Sequence, residues 1–451
     1  GVPPLAPVER TGPLPASFAQ QRLWFLAQLE PEGWSYNLPF GVRIKGAVDP
    51  AVLQRCFDEV ARRHESLRTT FALRRQDPVQ EVAAHVAVDL PVVDLREFPE
   101  EERDEAVRRA ADEHARIVFD LGRGPLWRAG LLHVRTDEYV LLLTLHHVIA
   151  DGWSMNVLLQ EVLSLYASFI SGEPSPLKPL SIQYADYAQW QRARLQGDVL
   201  EQQLTYWKGV LTGAPAVLAL PADRPRPSVE RHRGARFEFT LSADLLERLQ
   251  TTSRRHGVTL FMTLLSAFQV LLLRHTGQSD LCIGTPIAGR TRLETEPLIG
   301  LFVNTLVLRT DLSDVAKFTD LLARVRDVVL GAQAHQDLPF EHLVDALQPA
   351  RDLSRSPLFQ VMFALQTLPG GDIDIPGVEI SSFDVDPGSA KFDLSLEMTV
   401  EPAGLHGFFE YNSDLFDVGT IERLATHYRH VLDQVAAQPD MALARIEVLG
   451  A

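Results

Sequence analysis

Tyr139-Val-Leu-Leu-Leu-Thr-Leu-His146-His147-Val-Ile-Ala-Asp151-Gly152-Trp153-Ser154 is the stretch around which the chain is organised. The apolar run Val140–Leu143, continued by Thr144 and Leu145, predicts a strand buried on both faces. Two histidines close it, and an Asp-Gly turn follows four residues after the second. Side chains alternate along a strand, so His146 and His147 cannot both enter one cavity. His147, nearer the strand end, is expected to face a pocket, with His146 packed behind it. Asp151 lies past the turn, where it either contacts a histidine or is locked by an arginine. Divergent neighbours with one further ligand close in sequence do not make a metal site.

Composition bounds the rest. The chain has 451 residues, 46% apolar and 23% charged, an ordinary globular mixture. That length favours two large lobes over one core. A net charge of −16 argues against nucleic acid, whose phosphates call for a basic surface. Cys56 and Cys282 are far apart in apolar surroundings, which fits a reducing, cytoplasmic setting and not a disulfide framework. The apolar segment Leu260–Leu273, interrupted by Thr263, Ser266 and Gln269, is too short for a membrane span and reads as a buried helix. No signal peptide is visible, and the linker-like, proline-rich opening with glycine first reads as an excised fragment of a longer polypeptide or a processed tag.

Outward from the centre, Ser17 is a plausible cap for a helix carrying Leu23, Leu26 and Ala27. Residues 42–47 suit a strand, and Asp49-Pro50 opens a helix with Val52, Leu53, Cys56, Phe57 and Val60 on its apolar stripe. Strands are expected within 77–93, a charged helix over 98–117, the central strand over 138–147 and a helix from Ser154 to Ile170. Ser171–Pro179 reads as the linker between lobes. The second half repeats a similar order: a linker at 221–228, a strand near 235–241, helices at 242–256 and 259–274, a strand at 281–284, paired strands at 391–400 and 405–412, and a last helix near 418–436. The halves look like a loose duplication of one α/β unit. The 391–400 strand carries no histidine, so one active centre is expected.

His-His-x-x-x-Asp-Gly resembles the core motif of condensation domains of nonribosomal peptide synthetases. Chloramphenicol acetyltransferase and its relatives share His-x-x-x-Asp-Gly, so the flanks decide. Ser17-Phe-Ala-Gln-Gln-Arg-Leu-Trp24, Arg63-His64-Glu65-Ser-Leu67-Arg68-Thr-Thr-Phe71, Tyr184-Ala-Asp186-Tyr187-Ala-Gln-Trp190, Ile299-Gly-Leu-Phe-Val-Asn304-Thr305, His335-Gln336-Asp337-Leu-Pro339-Phe340-Glu341 and Arg351–Val361 resemble the family's other motifs, in its order. His64, Glu65 and Arg68 read from the residues alone as a charged helix end with local ion pairs. Ala150, often serine in the family, and Leu301, often phenylalanine, are conservative departures.

The resemblance implies an α/β (α+β) fold of two chloramphenicol-acetyltransferase-like lobes in a V-shaped pseudo-dimer, with a central tunnel. The N-terminal lobe would span 1–178 and the C-terminal lobe 179–451, with a crossover around 364–390. It implies donor and acceptor substrates on the 4'-phosphopantetheine arms of two peptidyl carrier domains, an adjacent adenylation domain, and a subtype joining an L-configured donor to an L-configured acceptor. The acceptor's amine would attack the donor thioester to form an amide. No cofactor bound by this domain, no metal, no membrane and a monomeric domain are the matching expectations.

No phosphate-binding Gly-x-x-x-x-Gly-Lys-Ser/Thr loop and no Gly-x-Ser-x-Gly elbow is present, which fits a thioester aminolysis needing neither nucleotide nor acyl-serine. His147 would accept the amine's proton or orient the amine; a positioned base typically contributes about 10²–10⁴-fold. The Gly152 amide is a candidate oxyanion donor. Family analogy pairs Asp151 with Arg290 as structural support; the alternative is Asp151 as a general acid or base. Ser154 reads as a helix cap or a tunnel contact, and Trp153 as a tunnel wall or a packing residue. Asn304 and Gln360 are polar residues in apolar stretches, either lining the tunnel or making core hydrogen bonds. Gly370-Gly371-Asp372-Ile373 resembles a carrier attachment site but has isoleucine where the modified serine is needed.

Overall fold

The structure is a computed structural model that describes residues 4–349, 352–367 and 377–449. In chain order its elements are β1 (Leu14–Pro15), α1 (Phe18–Leu29), β2 (Asn37–Lys45), α2 (Pro50–Arg63), β3 (Thr69–Arg74), β4 (Asp77–Val82), β5 (Val92–Asp94), α3 (Glu100–Ala115), β6 (Trp127–Arg135), β7 (Glu138–His146), α4 (Gly152–Ile170) and α5 (Tyr184–Arg194). There follow α6 (Gly197–Leu211), β8 (Gly234–Ser242), α7 (Ala243–Arg255), α8 (Leu260–Thr276), β9 (Asp280–Ile287), β10 (Asn304–Asp311), α9 (Phe318–Ala334), α10 (Phe340–Leu347), β11 (Val361–Thr367), β12 (Glu379–Phe383), β13 (Leu394–Glu401), β14 (Gly404–Asn412) and α11 (Val418–Ala437). Among the described residues no single helix is long and apolar enough to cross a membrane.

The chain divides into two compact units. Residues 4–199, 288–303 and 377–387 belong to the first; the remaining described residues belong to the second. Ser171–Pro179 is therefore not the boundary expected from its composition. After that stretch α5 returns to the first unit, because Tyr184, Tyr187 and Trp190 are buried in its core cluster. Of the expected crossover, β12 adds antiparallel to β2 at the edge of the first unit's sheet. The Gly370–Ile373 sequence lies outside the described residues.

In the first unit a five-stranded sheet runs β12-β2-β7-β6-β5, with β7 at its centre. All nine residues of β7 are buried. Leu141, Leu143 and Leu145 join Leu53 and Phe57 of α2 and Leu158 and Val162 of α4 in one core. Val140 and Leu142 meet Ala106, Val107 and Ala111 of α3 on the other face. A strand sandwiched between helices has no polar side to show, which is why it reads as an unbroken apolar run.

The second unit holds a six-stranded sheet, β10-β9-β11-β13-β14-β8. Leu394, Leu396 and Met398 of β13 point to the helical side, where the Tyr428 hydroxyl of α11 lies 3.7 Å from the Met398 sulfur. Phe268 of α8 packs against Phe363 and Phe409 there. The alternate residues of β13 turn the other way. Gln366 on β11 donates to Glu397 Oε2 at 3.2 Å, and the Arg236–Glu410 pair at 3.3 Å lies alongside. Burial and the Glu410 carboxylate push the Glu397 carboxyl up to about 7. The strand expected over 391–400 is thus half-buried, and it is not the counterpart of β7. β14 is: it runs antiparallel between β8 and β13 as β7 does between β2 and β6, and it leads straight into a helix.

Candidate functional site

The site lies at the corner where β7 ends and α4 begins. His146 is the last residue of β7, opposite Asn37 of β2, and is 6% exposed. Its Nδ1 accepts the Val148 amide at 3.1 Å, and Phe119 presents an edge to its ring. A ring that accepts at Nδ1 carries its proton on Nε2 when neutral. His147, the next residue, leaves the strand and is partly buried. Its Nδ1 lies 2.9 Å from the Ala150 carbonyl, an acceptor only, so Nδ1 holds the proton and Nε2 the basic lone pair. Two adjacent imidazoles thus take opposite tautomers, each set by a backbone group of the same turn.

Asp151 caps α4. Its Oδ1 accepts the Ser154 amide at 2.8 Å, and the helix begins at Gly152 rather than at Ser154. Its Oδ2 accepts the amides of Phe302 at 2.9 Å and Val303 at 3.2 Å. Arg290 donates to Oδ1 at 3.1 Å, and both side chains are only 2% exposed. Arg290 also donates to the carbonyls of Thr295 and Leu298 and lies 4.1 Å from the Phe302 ring centre. Burial lowers the affinity of its guanidinium for the proton, and Asp151 offsets only part of this. Both carboxylate oxygens of Asp151 are thus occupied by donors of the protein.

Ser154 is fully buried, 2.7 Å from Asp151 Oδ1 and 2.9 Å from the Gly300 carbonyl, and it accepts from the Gly300 amide. It is the third helical residue, bonded to the cap, and not the cap itself; its hydroxyl is engaged inside the unit. The Gly152 amide belongs to the first helical turn, whose N–H groups have no intrahelical partner. A Cβ built on Gly152 would meet nothing within 4 Å, so the space beside that amide is open. Trp153 is 40% exposed and donates from Nε1 to the Glu296 carbonyl at 3.0 Å.

The two residues expected from the second unit sit within its own fabric. Asn304 donates to the carbonyls of Gln336 and Leu338 and accepts from the Thr305 and Phe340 amides. Gln360 is 1% exposed, accepts from the Leu218 amide and donates to Ala216 and Ser356. Each amide is spent on backbone, the core hydrogen bond that the residue alone left open as one of two readings.

Sequence reasoning missed the anchoring of residues 299–303. Ser66 donates to the Ile299 carbonyl at 2.7 Å, and Tyr184 to the Leu301 carbonyl at 2.6 Å. At Gly300 a Cβ would fall 2.0 Å from the Tyr184 ring, so only glycine lets the backbone come that close. Of His64, Glu65 and Arg68, expected to pair locally, the first two reach distant partners and the third bonds backbone carbonyls. His64 meets Glu161 and Ile299, Glu65 pairs with Arg10, and Arg68 donates to Ala61 and Ala83. A glutamate within the apolar α4 was the available signal.

Fold and corner together define an acyltransferase of the chloramphenicol-acetyltransferase-like class. The Condensation domain family profile matches residues 11–451. The chain belongs to the condensation-domain family of nonribosomal peptide synthetases, whose members form peptide bonds and need no cofactor of their own. It is 51% identical to a linear gramicidin synthase of Brevibacillus parabrevis over 99% of its own length, spanning 6% of that protein. It is 43% identical to phosphinothricin tripeptide synthetase PhsC of Streptomyces viridochromogenes over 97% of its length, spanning 40% of that protein. The X-domain from teicoplanin biosynthesis, solved in complex with OxyB, superposes with a TM-score of 0.89 at 31% identity, covering 100% of this chain and 99% of that one. The two synthetases are multidomain proteins, and this chain spans only part of each.

Proposed function

We propose that the chain joins a donor aminoacyl or peptidyl thioester to an acceptor amine, both delivered on the 4'-phosphopantetheine arms of partner carrier domains in a cytoplasmic, monomeric unit beside an adenylation domain. His147 Nε2 takes or orients the proton of the amine as nitrogen attacks the thioester carbon. The Gly152 amide receives the oxyanion. Attack forms the C–N bond, collapse of the tetrahedral adduct re-forms the carbonyl and breaks the C–S bond, and the amine's proton leaves on the donor's thiol. Asp151, Arg290 and Ser154 hold the corner, His146 packs behind it and Trp153 borders it. The L-donor, L-acceptor subtype follows the opening Ser17–Trp24 wording.

The observation that carries this reading is the Nδ1–H of His147 on the Ala150 carbonyl, which fixes Nε2 as the basic nitrogen. The test is amide formation between two loaded carriers, with a His147→Ala variant beside the natural chain. The variant is expected to lose about 10²–10⁴-fold in rate with an unchanged melting temperature. Equal rates would remove His147 from the chemistry. Turnover with a free amine or alcohol in place of the acceptor carrier would replace the carrier-bound acceptor with a small-molecule one.

A further inference from the structure

Five consecutive residues of the first unit, Ile299 to Val303, have backbone groups held by side chains of that unit. Asp151, Ser154, Ser66 and Tyr184 account for most of these bonds. The Ile299 amide is held by His64, whose Nδ1 accepts it at 3.3 Å. The other ring nitrogen lies 2.8 Å from Glu161 Oε2, while Arg63 donates to Glu161 Oε1 at 2.8 Å. His64 is 1% exposed. An amide can only donate, so Nδ1 is the acceptor and Nε2 carries the proton, which goes to Glu161. Three residues further on, the Phe302 and Val303 amides close on Asp151.

We propose that His64 is a positioning residue of the condensation centre, joining Glu161 of α4 to the Ile299 amide and so fixing the segment that seats on Asp151. The role rests on the condensation reading of the corner. Doubly protonated, the ring would aim N–H at the Ile299 amide, and the tether would become a clash of donors. The surroundings favour the neutral ring. Burial lowers its proton affinity more than the Glu161 contact raises it, and the Arg63 and Arg290 charges lower it further. Burial would raise the Glu161 carboxyl, but the bonds from His64 and Arg63 outweigh it and keep it ionised.

Two substitutions separate the two nitrogens. His64→Asn places an amide oxygen near the Nδ1 position and can still accept from Ile299. His64→Gln places its amide near Nε2 and keeps the Glu161 contact alone. In the carrier-to-carrier assay His64→Gln is expected to lower kcat roughly tenfold, the cost of one stranded buried donor, with KM little changed. His64→Asn is expected to recover most of that loss. Hydrogen exchange of the 296–303 backbone gives a readout independent of activity: fast in the Gln variant, slow in the Asn variant and the natural chain. Equal kcat losses, or natural protection in the Gln variant, would overturn the proposal. If the natural chain makes no amide the condensation reading fails, and the exchange pattern alone decides the tether. Should the Gln variant not fold, the ring ¹⁵N spectrum of the natural chain decides: the Nε2–H tautomer at neutral pH supports the role, and Nδ1–H overturns it.

Discussion

Two corners of this molecule share a plan and differ in chemistry. β7 passes through His146-His147-Val-Ile-Ala-Asp151 into α4; β14 passes through Asn412-Ser413-Asp-Leu-Phe-Asp417 into α11. Both place an aspartate at the position before the helix. Asp151 is buried and takes bonds from Ser154, Arg290, Phe302 and Val303. The Asp417 side chain is 56% exposed and pairs with Arg224, while its amide donates to Asp223. Asn412 stands where His146 does and Ser413 where His147 does. The corner is therefore a structural device in its own right. The first corner alone carries two imidazoles, with a backbone carbonyl that orients one of them.

The sharpest way to break the comparison is to remove each aspartate. Asp151→Ala strands the buried Arg290 charge and three backbone amides, and should cost about 3–5 kcal/mol in urea unfolding and abolish turnover. Asp417→Ala removes an exposed pair and should cost no more than ~1 kcal/mol, with turnover intact. Similar costs at both corners would mean that the burial contrast does not set their energetics.

A second contrast separates the two sheets. β7 is buried on both faces, whereas Glu397 of β13 sits on a polar side, its carboxyl raised to about 7 against an ordinary value of 4.5. The folded chain holds a proton there that the unfolded chain releases. The contribution is present below about pH 4.5 and is lost as pH rises through 7. Glu397→Gln is expected to raise the melting temperature at pH 8 relative to the natural chain, with the gain shrinking toward pH 4.5. A difference independent of pH would sink this assignment.

The smallest effect compares the first turns of the two helices. A methyl at Gly152 or Gly419 would meet no atom nearer than 3.7 Å. Gly152→Ala and Gly419→Ala should each stabilise the fold by about 0.4–1 kcal/mol through the unfolded chain. Only Gly152→Ala should slow turnover, because its methyl would occupy the open space beside the proposed oxyanion donor. An unaltered rate would place the thioester elsewhere.

Much of this was legible in the residues. The apolar run of β7 could only be a strand covered on both sides. The motif order named the family. Arg290 was reachable through the family pattern, but its distance in sequence from Asp151 hides the contact from any local rule. The linker-like Ser171–Pro179 misled because composition reports exposure of a stretch, not which core the chain joins next; Tyr184, Tyr187 and Trp190 decided that.

What the sequence determined by itself is the set of parts: a doubly buried strand, two adjacent histidines at its end, and a single motif-bearing half. Periodicity and residue chemistry are local, and they survive any arrangement of the rest. Only the tertiary structure decided which nitrogen of His147 is basic, what Asp151 carries, and that His64 belongs to the same support. Those depend on carbonyls and amides brought together from up to 235 residues apart, and a backbone group has no letter in the sequence to announce where it points.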